Sequence, residues 1–205
     1  MAASKSGFMK DALVLFAITL VSGLCLGFVY DLTKEPIAQA TIDKNNRTYQ
    51  EVLASASAFA EVDGSAEKIA ELAASGELSA FGGVAIESVL EGTDASGAVV
   101  GYVVNSLSND SYGGAVKISV GFDAEGTITG VGIREINDTP GLGLKAKDAA
   151  FKDQYIGKNE ESLVVTKMGA SASNEIDAIS GATITSNATT NAVNAAFHYL
   201  HNCMN

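Results

Sequence analysis

The chain has 205 residues, of which 47% are hydrophobic and 18% are charged, so it can bury a core and is not a disordered chain. Its 13 basic and 24 acidic side chains give a formal net charge of −11, which argues against a nucleic-acid-binding surface because such surfaces need a basic excess. Two cysteines and two histidines are too few for a disulfide framework, a cysteine-rich zinc site or a self-contained iron–sulfur cluster.

An uncharged apolar run covers residues 12–30. Its 19 residues, at about 1.5 Å each in a helix, nearly cross the roughly 30 Å hydrocarbon core of a bilayer. Lys5 and Lys10 precede it, so the positive-inside rule predicts a cytoplasmic N-terminus over residues 1–11 and an extracytoplasmic remainder. The alternative is a cleaved signal peptide, but its apolar region would be shorter, about 7–15 residues. The sequence therefore predicts an uncleaved membrane helix.

The next segment, residues 31–82, is predicted to be a helical juxtamembrane segment. Pro36 suits the first turn of a helix, and the polar, alanine-rich stretch 37–56 continues it. A second helix is predicted over residues 65–74, and Gly76 interrupts it.

From residue 84 onward, short stretches are rich in β-branched residues. Four strands are predicted, over residues 84–92, 99–105, 116–122 and 128–136. Asp and Gly stand at turn positions in the segments 94–97 and 123–126, which predicts hairpin connections and an antiparallel meander.

The last part of the chain adds helices to this sheet. Residues 145–155 are predicted to be helical, residues 163–167 a strand, and residues 187–200 a final helix with an apolar stripe. The predicted fold class is therefore α+β, with an N-terminal transmembrane helix followed by an antiparallel-sheet domain with flanking helices.

The segment 177–186 is rich in small and hydroxyl side chains and lies directly before the last predicted helix. Gly181 allows a close approach of backbone to a ligand, and a helix N-terminus supplies unpaired N–H groups and a positive dipole end. The hydroxyls of Ser180, Thr183 and Thr185 add donors. The pattern indicates either an anion site or an ordinary Ser/Thr helix cap after a glycine turn, and from these residues alone the cap is the commoner case.

The string Ser180-Gly181-Ala182-Thr183, with Asp177 three residues before it, resembles the flavinylation motif of FMN-binding domains. The resemblance implies that Thr183 is joined to the FMN phosphate by a phosphoester bond, which a separate flavin transferase makes. Under this resemblance Asp177 serves recognition by the transferase.

The wider chain resembles the G subunits of Rnf complexes, the ion-translocating ferredoxin:NAD oxidoreductases. Segments 33–37, 112–123 and 138–143 carry this resemblance together with the motif, and the family usually has Glu where this chain has Asp138. The resemblance implies a covalent FMN-binding domain over residues 83–205. The implied cofactor-binding residues are Thr183, Ser180, Gly181, Ala182, Thr185, Asp177, Thr139, Gly141, Leu142, Gly143 and Tyr112.

The function implied by the resemblance is that of a membrane-anchored flavoprotein subunit. It relays electrons within a complex that couples ferredoxin:NAD oxidoreduction to Na⁺ or H⁺ transport, and it is not a complete enzyme alone. Its expected partners are the other membrane and iron–sulfur subunits, and the flavin transferase during maturation. The alternatives are the C subunit of a Na⁺-translocating NADH:quinone reductase, a stand-alone extracytoplasmic flavin shuttle, and a cofactor-free anchored binding module.

Electrostatic repulsion is a physical reason for attaching FMN covalently. The FMN phosphate and the domain after the membrane helix are both negatively charged, so long-range electrostatics disfavours retention of free FMN. The N-terminus of the last helix and some of four basic side chains are expected to offset this locally. These side chains are Arg134, Lys145, Lys147 and Lys167.

Overall fold

The computed structural model describes residues 5–160 and 162–204. The chain divides into two compact units, the first ending at Lys44 and the second beginning at Asn45. The domain boundary expected at residue 83 therefore falls inside the second unit.

The first helix, α1, runs over Lys5–Val52. In the described part of the chain it is the one helix long and apolar enough to cross a membrane. Pro36 lies inside α1, so the prediction that it starts a separate helix is wrong. A proline removes a single i→i−4 hydrogen bond, and the strongly apolar turns before it already form a helix that continues past it.

The second unit is built on a five-stranded antiparallel meander in which each strand pairs with the next. Its strands are β1 Ala58–Glu61, β2 Val84–Thr93, β3 Val99–Ser111, β4 Gly114–Asp123 and β5 Ile128–Glu135. The predicted meander is confirmed, and β1 is an additional edge strand that was not predicted from the sequence. At the turn between β2 and β3, Asp94 accepts hydrogen bonds from the backbone N–H of Ser96 (2.8 Å) and of Ala98 (3.0 Å).

One face of the sheet packs against the long C-terminal helix α4, Thr183–Cys203. The ring of Phe197 on α4 meets the ring of Phe122 on β4 edge-on, with centroids 5.1 Å apart. Both side chains are buried, and they lie in the main hydrophobic core of the unit. The N-terminal end of α4 lines the cleft described below.

The opposite face of the sheet packs against the C-terminal end of α1. Tyr49, Val52 and Leu53 are buried there together with Val103 of β3. The Thr129 hydroxyl donates a hydrogen bond of 2.5 Å to the carbonyl of Val52. The residues that end α1 therefore belong to the same unit as the sheet.

Short elements complete the second unit. They are α2 Ser65–Ser75, a 3₁₀ turn Glu77–Phe81, a 3₁₀ turn Gly143–Lys147, α3 Ala149–Lys152, a 3₁₀ turn Asp153–Tyr155, β6 Val164–Thr166 and β7 Glu175–Asp177. Strands β6 and β7 pair in parallel.

Two predicted boundaries in this region are wrong. The single helix expected over residues 145–155 is broken because Asp148 adopts an extended backbone with ψ 141°. Helix α4 begins at Thr183 rather than at residue 187. Three of the four residues of its first turn carry hydroxyl groups and intrinsically prefer caps and loops, and one of them, Thr185, makes the tertiary hydrogen bond described below.

Candidate functional site

A cleft of about 590 Å³ opens where three elements meet: the turn between β3 and β4, the loop after β5, and the first turn of α4. Its lining consists of Tyr112, Asp138, Thr139, Leu142, Gly143, Gly181, Ala182, Thr183, Ile184 and Thr185. Eight of the eleven residues that the resemblance implied for cofactor binding are in this lining. Strand pairing brings these elements together, because the β3–β4 turn and the C-terminal end of β5 lie at the same end of the antiparallel strands.

Thr183 is the first residue of α4 and is half-buried in the cleft wall. The preceding residue, Ala182, has no side chain that can cap the helix, so the first N–H groups of α4 keep their donor capacity. The other hydroxyls of this turn are engaged: Thr185 donates to Asp138, and Ser186 donates to the carbonyl of Ala182 at 3.0 Å. Within the described part of the chain, the Thr183 hydroxyl makes no hydrogen bond, which distinguishes it from the hydroxyls of Thr185 and Ser186.

Gly181 shapes the approach to this turn. Its φ of +77° lies in the left-handed region, and a Cβ placed on it would lie 3.1 Å from Cδ2 of Leu142 across the cleft. Any larger residue here would be strained and would narrow the cleft. The glycine therefore allows α4 to begin close to the loop after β5.

Two residues of the cleft lining, Ile184 and Asp138, were not among the predicted cofactor-binding residues, and Asp138 carries an ionisable group. It is 5% exposed, and Oδ2 accepts hydrogen bonds from the hydroxyls of Ser111 (2.7 Å) and Thr185, while Oδ1 accepts one from the backbone N–H of Gly113. Burial raises the pKa of Asp138, but these three hydrogen bonds outweigh it and hold the pKa below its ordinary value. The side chain is therefore an ionised carboxylate in the cleft wall.

One feature of the sequence pointed to this residue: the chain has Asp138 where the related family usually has Glu. Sequence spacing could not reveal its partners, because Ser111 and Thr185 lie 27 and 47 residues away along the chain. Gly143 packs directly against Asp138 and Thr185, and a Cβ at Gly143 would overlap both side chains.

Three of the implied cofactor-binding residues lie outside the lining. Gly141 belongs to the loop after β5, and Ser180 is exposed just before the cleft. Asp177 ends β7 and lines a different groove, of about 360 Å³, together with Lys145 and other residues. There Oδ1 of Asp177 accepts a hydrogen bond of 2.6 Å from the backbone N–H of Ala170.

The basic side chains expected to offset a phosphate charge are not in the cleft wall. Arg134 forms an ion pair with Glu87, which also pairs with Lys117 at 2.9 Å. Lys145 and Lys147 line other grooves. None of the residues that line the cleft is a lysine or an arginine, so the N-terminus of α4 is the positive feature of the wall.

The arrangement suits a molecule with a flat apolar part and an anionic tail. Exposed side chains of Tyr112 and Leu142 offer apolar contact at the cleft mouth, and the start of α4 offers N–H donors and the hydroxyl of Thr183. The described residues contain no group of three or more His, Cys, Asp or Glu side chains that could hold a metal ion.

The model of the family described as "FMN-binding domain" matches residues 111–198. The matched segment contains every residue that lines the cleft.

Relatives extend the similarity over nearly the whole chain. The chain is 37% identical over 198 residues to the G subunit of the Na(+)-translocating ferredoxin:NAD(+) oxidoreductase complex of Acetobacterium woodii, covering 94% of this chain and 91% of the relative. It is 29% identical to the G subunit of the proton-translocating ferredoxin:NAD(+) oxidoreductase complex of Clostridium ljungdahlii, covering 91% and 92% of the two chains. It is 28% identical to the G subunit of the ion-translocating oxidoreductase complex of Methanosarcina acetivorans, covering 93% of each chain.

A solved structure has a similar fold. The crystal structure of the C subunit of Na(+)-translocating NADH-quinone reductase from Parabacteroides distasonis aligns with a TM-score of 0.51 at 21% identity, covering 79% of this chain and 93% of that one. At this identity the likeness concerns the fold, which is α+β with an antiparallel sheet, as predicted.

Proposed function

This chain belongs to the family of G subunits of ion-translocating ferredoxin:NAD(+) oxidoreductase complexes, the Rnf complexes, and we propose that it is their membrane-anchored flavoprotein subunit, with FMN bound covalently at Thr183. In this proposal it relays electrons between neighbouring subunits of a complex that moves Na⁺ or H⁺, and it is not a complete enzyme alone. The observation that carries the proposal is the unengaged hydroxyl of Thr183 at the start of α4, inside a cleft without basic side chains.

The cleft residues fit FMN. The flat part of the molecule would contact Tyr112 and Leu142, and the phosphate would lie at the N-terminus of α4. Bound FMN would supply the electron-transfer chemistry, and the protein would supply attachment, orientation and the local electric field.

Covalent attachment would retain an anionic flavin on a unit that is itself negatively charged. Residues 45–205 carry 9 basic and 20 acidic side chains, a net of −11, and the cleft wall contains no lysine or arginine. A phosphate held by α4 alone would be retained weakly, since a helix N-terminus contributes only about 0.3–1 kcal/mol at an exposed site. An ester bond removes this problem.

The bond would form without any change of oxidation state. The Thr183 oxygen bonds to phosphorus of an activated flavin phosphate, the leaving group departs with the electron pair of its own bond, and the hydroxyl loses its proton. A flavin transferase would catalyse this step, and Asp177, in the neighbouring groove, would serve its recognition. Thr183 would thus act once, during maturation.

Helix α1 would anchor the protein. Its apolar run at residues 12–30 would span the bilayer, with the N-terminus in the cytoplasm and the flavin domain on the extracytoplasmic side. The expected partners are the other membrane and iron–sulfur subunits of the complex.

The test compares two threonine variants of the full chain, expressed with a flavin transferase and separated on a denaturing gel under ultraviolet light. Wild type should fluoresce, and its intact mass should exceed that of the polypeptide by one FMN less one water. Thr183→Val should be dark and have the mass of the bare polypeptide, because the acceptor oxygen is gone.

Thr166→Val is the matched control. Thr166 is a half-buried threonine like Thr183, but it lies on β6 and not in the cleft lining. This variant should keep its fluorescence. A dark wild type made in the presence of the transferase would overturn covalent attachment and favour a cofactor-free binding module. A fluorescent Thr183→Val would move the acceptor to another hydroxyl.

A second measurement separates a component of a complex from a stand-alone shuttle. Wild type purified in mild detergent from its own membranes should bring iron–sulfur subunits with it. Recovery of the flavin-loaded chain alone, under conditions that keep other membrane complexes intact, would favour the shuttle.

A further inference from the structure

Asp138 holds together the three elements that form the cleft. It lies in the loop after β5, accepts hydrogen bonds from Ser111 and Gly113 at the β3–β4 turn, and accepts another from Thr185 in α4. A single carboxylate therefore connects all three elements.

Among the described residues that line the cleft, no basic side chain balances the negative charge of this carboxylate. The groups that bind it are two hydroxyls and one backbone N–H, all neutral. The cleft lining contains no lysine or arginine, and Glu87 engages both Lys117 and Arg134 in ion pairs. Neutral donors stabilise the charged form but leave its net charge in place.

The carboxylate of Asp138 also lies next to the space in which a ligand would bind. Asp138 is part of the cleft lining although it is nearly inaccessible to solvent. A ligand in the cleft therefore replaces the water that would otherwise screen this carboxylate, and charges interact more strongly in such a low-dielectric setting.

We propose that Asp138 is a positioning residue that joins the walls of the cleft and whose buried negative charge lowers the reduction potential of the flavin held there. This inference rests on the proposed function, because it needs a flavin in the cleft. The physical reason is direct: reduction adds negative charge to the flavin, and a fixed carboxylate beside it makes that addition less favourable.

Asp138→Asn removes the negative charge and keeps a side chain of nearly the same size and shape. The amide oxygen can take the place of Oδ1 and accept from Gly113 N–H, while the NH₂ group takes the place of Oδ2. There it donates to the hydroxyl oxygens of Ser111 and Thr185, which can act as acceptors as well as donors. The variant can thus keep three hydrogen bonds and lose only the charge.

Asp94→Asn is the matched control. Asp94 also accepts three hydrogen bonds from neutral donors, namely the backbone N–H and hydroxyl of Ser96 and the backbone N–H of Ala98. However, it lies in the β2–β3 turn and not in the cleft lining. Its replacement removes one negative charge from the same unit without touching the cleft.

The experiment is a redox titration of the flavin absorbance in the full chain, purified in detergent with FMN attached. Asp138→Asn should raise the ratio of reduced to oxidised flavin at a fixed potential about tenfold, equivalent to about +59 mV for a one-electron couple. Asp94→Asn should leave the titration unchanged. A flavin-loaded Asp138→Asn protein that titrates like wild type would overturn the inference.

A second variant covers the case in which Asp138→Asn does not accumulate. Ser111→Ala removes a hydroxyl dipole whose positive end faces the carboxylate, so the field of the carboxylate at the flavin is less offset and the flavin potential should move in the opposite direction, to more negative values. No shift, or a shift to more positive values, would contradict the proposal. Failure of the proposed function looks different, since wild type would then carry no flavin to titrate.

Discussion

Thr185 donates a hydrogen bond from its hydroxyl to the carboxylate of Asp138, and this bond connects the first turn of α4 to the loop after β5. Both side chains are buried, at 1% and 5% exposure. The two threonines of this turn therefore differ, because the hydroxyl of Thr185 is bonded to Asp138, whereas the hydroxyl of Thr183 in the cleft wall has no hydrogen bond to any described residue.

Thr185→Val should destabilise the second unit. The substitution removes one of the hydrogen bonds to the buried carboxylate of Asp138. Loss of such a bond typically lowers the free energy of unfolding by about 1–3 kcal/mol. Thermal unfolding of the purified full chain, compared with Thr185→Ser as the variant that keeps the hydroxyl, measures this loss. Equal midpoints for the valine and serine variants would show that the bond contributes nothing to stability.

The pH dependence of stability should report the same carboxylate. Because folding lowers the pKa of Asp138, its contribution is fully present above the pKa of the unfolded state and is lost as pH falls through the folded-state pKa. Wild type should therefore lose stability relative to Asp138→Asn as pH falls below about 4. Denaturant unfolding of both proteins across this range measures the difference, and a difference independent of pH would contradict an ionised Asp138.

Much of the fold was predictable because it rests on local patterns. The hairpin turns at residues 94–97 and 123–126 fix the meander through Asp and Gly at fixed turn positions. The start of α4 was not predictable, because its hydroxyl residues favour caps locally, whereas in the fold Thr185 donates to Asp138. Such a bond joins residues far apart in sequence.

In the candidate site, too, the local sequence pattern was predictable and the contacts between distant residues were not. The motif Ser180-Gly181-Ala182-Thr183 is contiguous, so a resemblance could point to it directly. The cleft that surrounds it depends on the pairing of β3, β4 and β5, and the hydrogen-bond partners of its buried carboxylate are evident only from the three-dimensional contacts. Lys145 and Lys147, which the sequence offered as partners for a phosphate, lie in other grooves for the same reason.

Gly181→Ala should impair both folding and loading with flavin. Its φ of +77° costs an L-residue about 1–2 kcal/mol, and the added methyl group would lie 3.1 Å from Leu142. Fluorescence on a denaturing gel and thermal unfolding measure the two effects separately. Gly97→Ala is the control, since Gly97 has a φ of +85° but open space around it. Both variants should lose similar stability, and only Gly181→Ala should lose fluorescence.

The C-terminal end of α1 and the residue that follows it, Leu53, should be indispensable to the second unit. Leu53 is 1% exposed and packs with Tyr49, Val52 and Val103 against the outer face of the sheet. Leu53→Ala removes buried methyl groups and leaves a cavity, so the free energy of unfolding should fall by about 2–5 kcal/mol. Thermal unfolding of the full chain measures this, with the half-exposed Val99→Ala as a control that should change little.

Truncation tests the same packing without relying on one side chain. A fragment of residues 45–205 keeps the whole compact unit and should give a cooperative thermal transition. A fragment of residues 83–205, cut at the boundary expected from the sequence, loses the end of α1, β1 and α2, so it exposes Val103 and leaves β2 as an unprotected edge. It should aggregate or remain unfolded. If it melts cooperatively at the same temperature as the longer fragment, then α1 packs on the sheet without stabilising it, and the flavin domain begins where the sequence alone suggested.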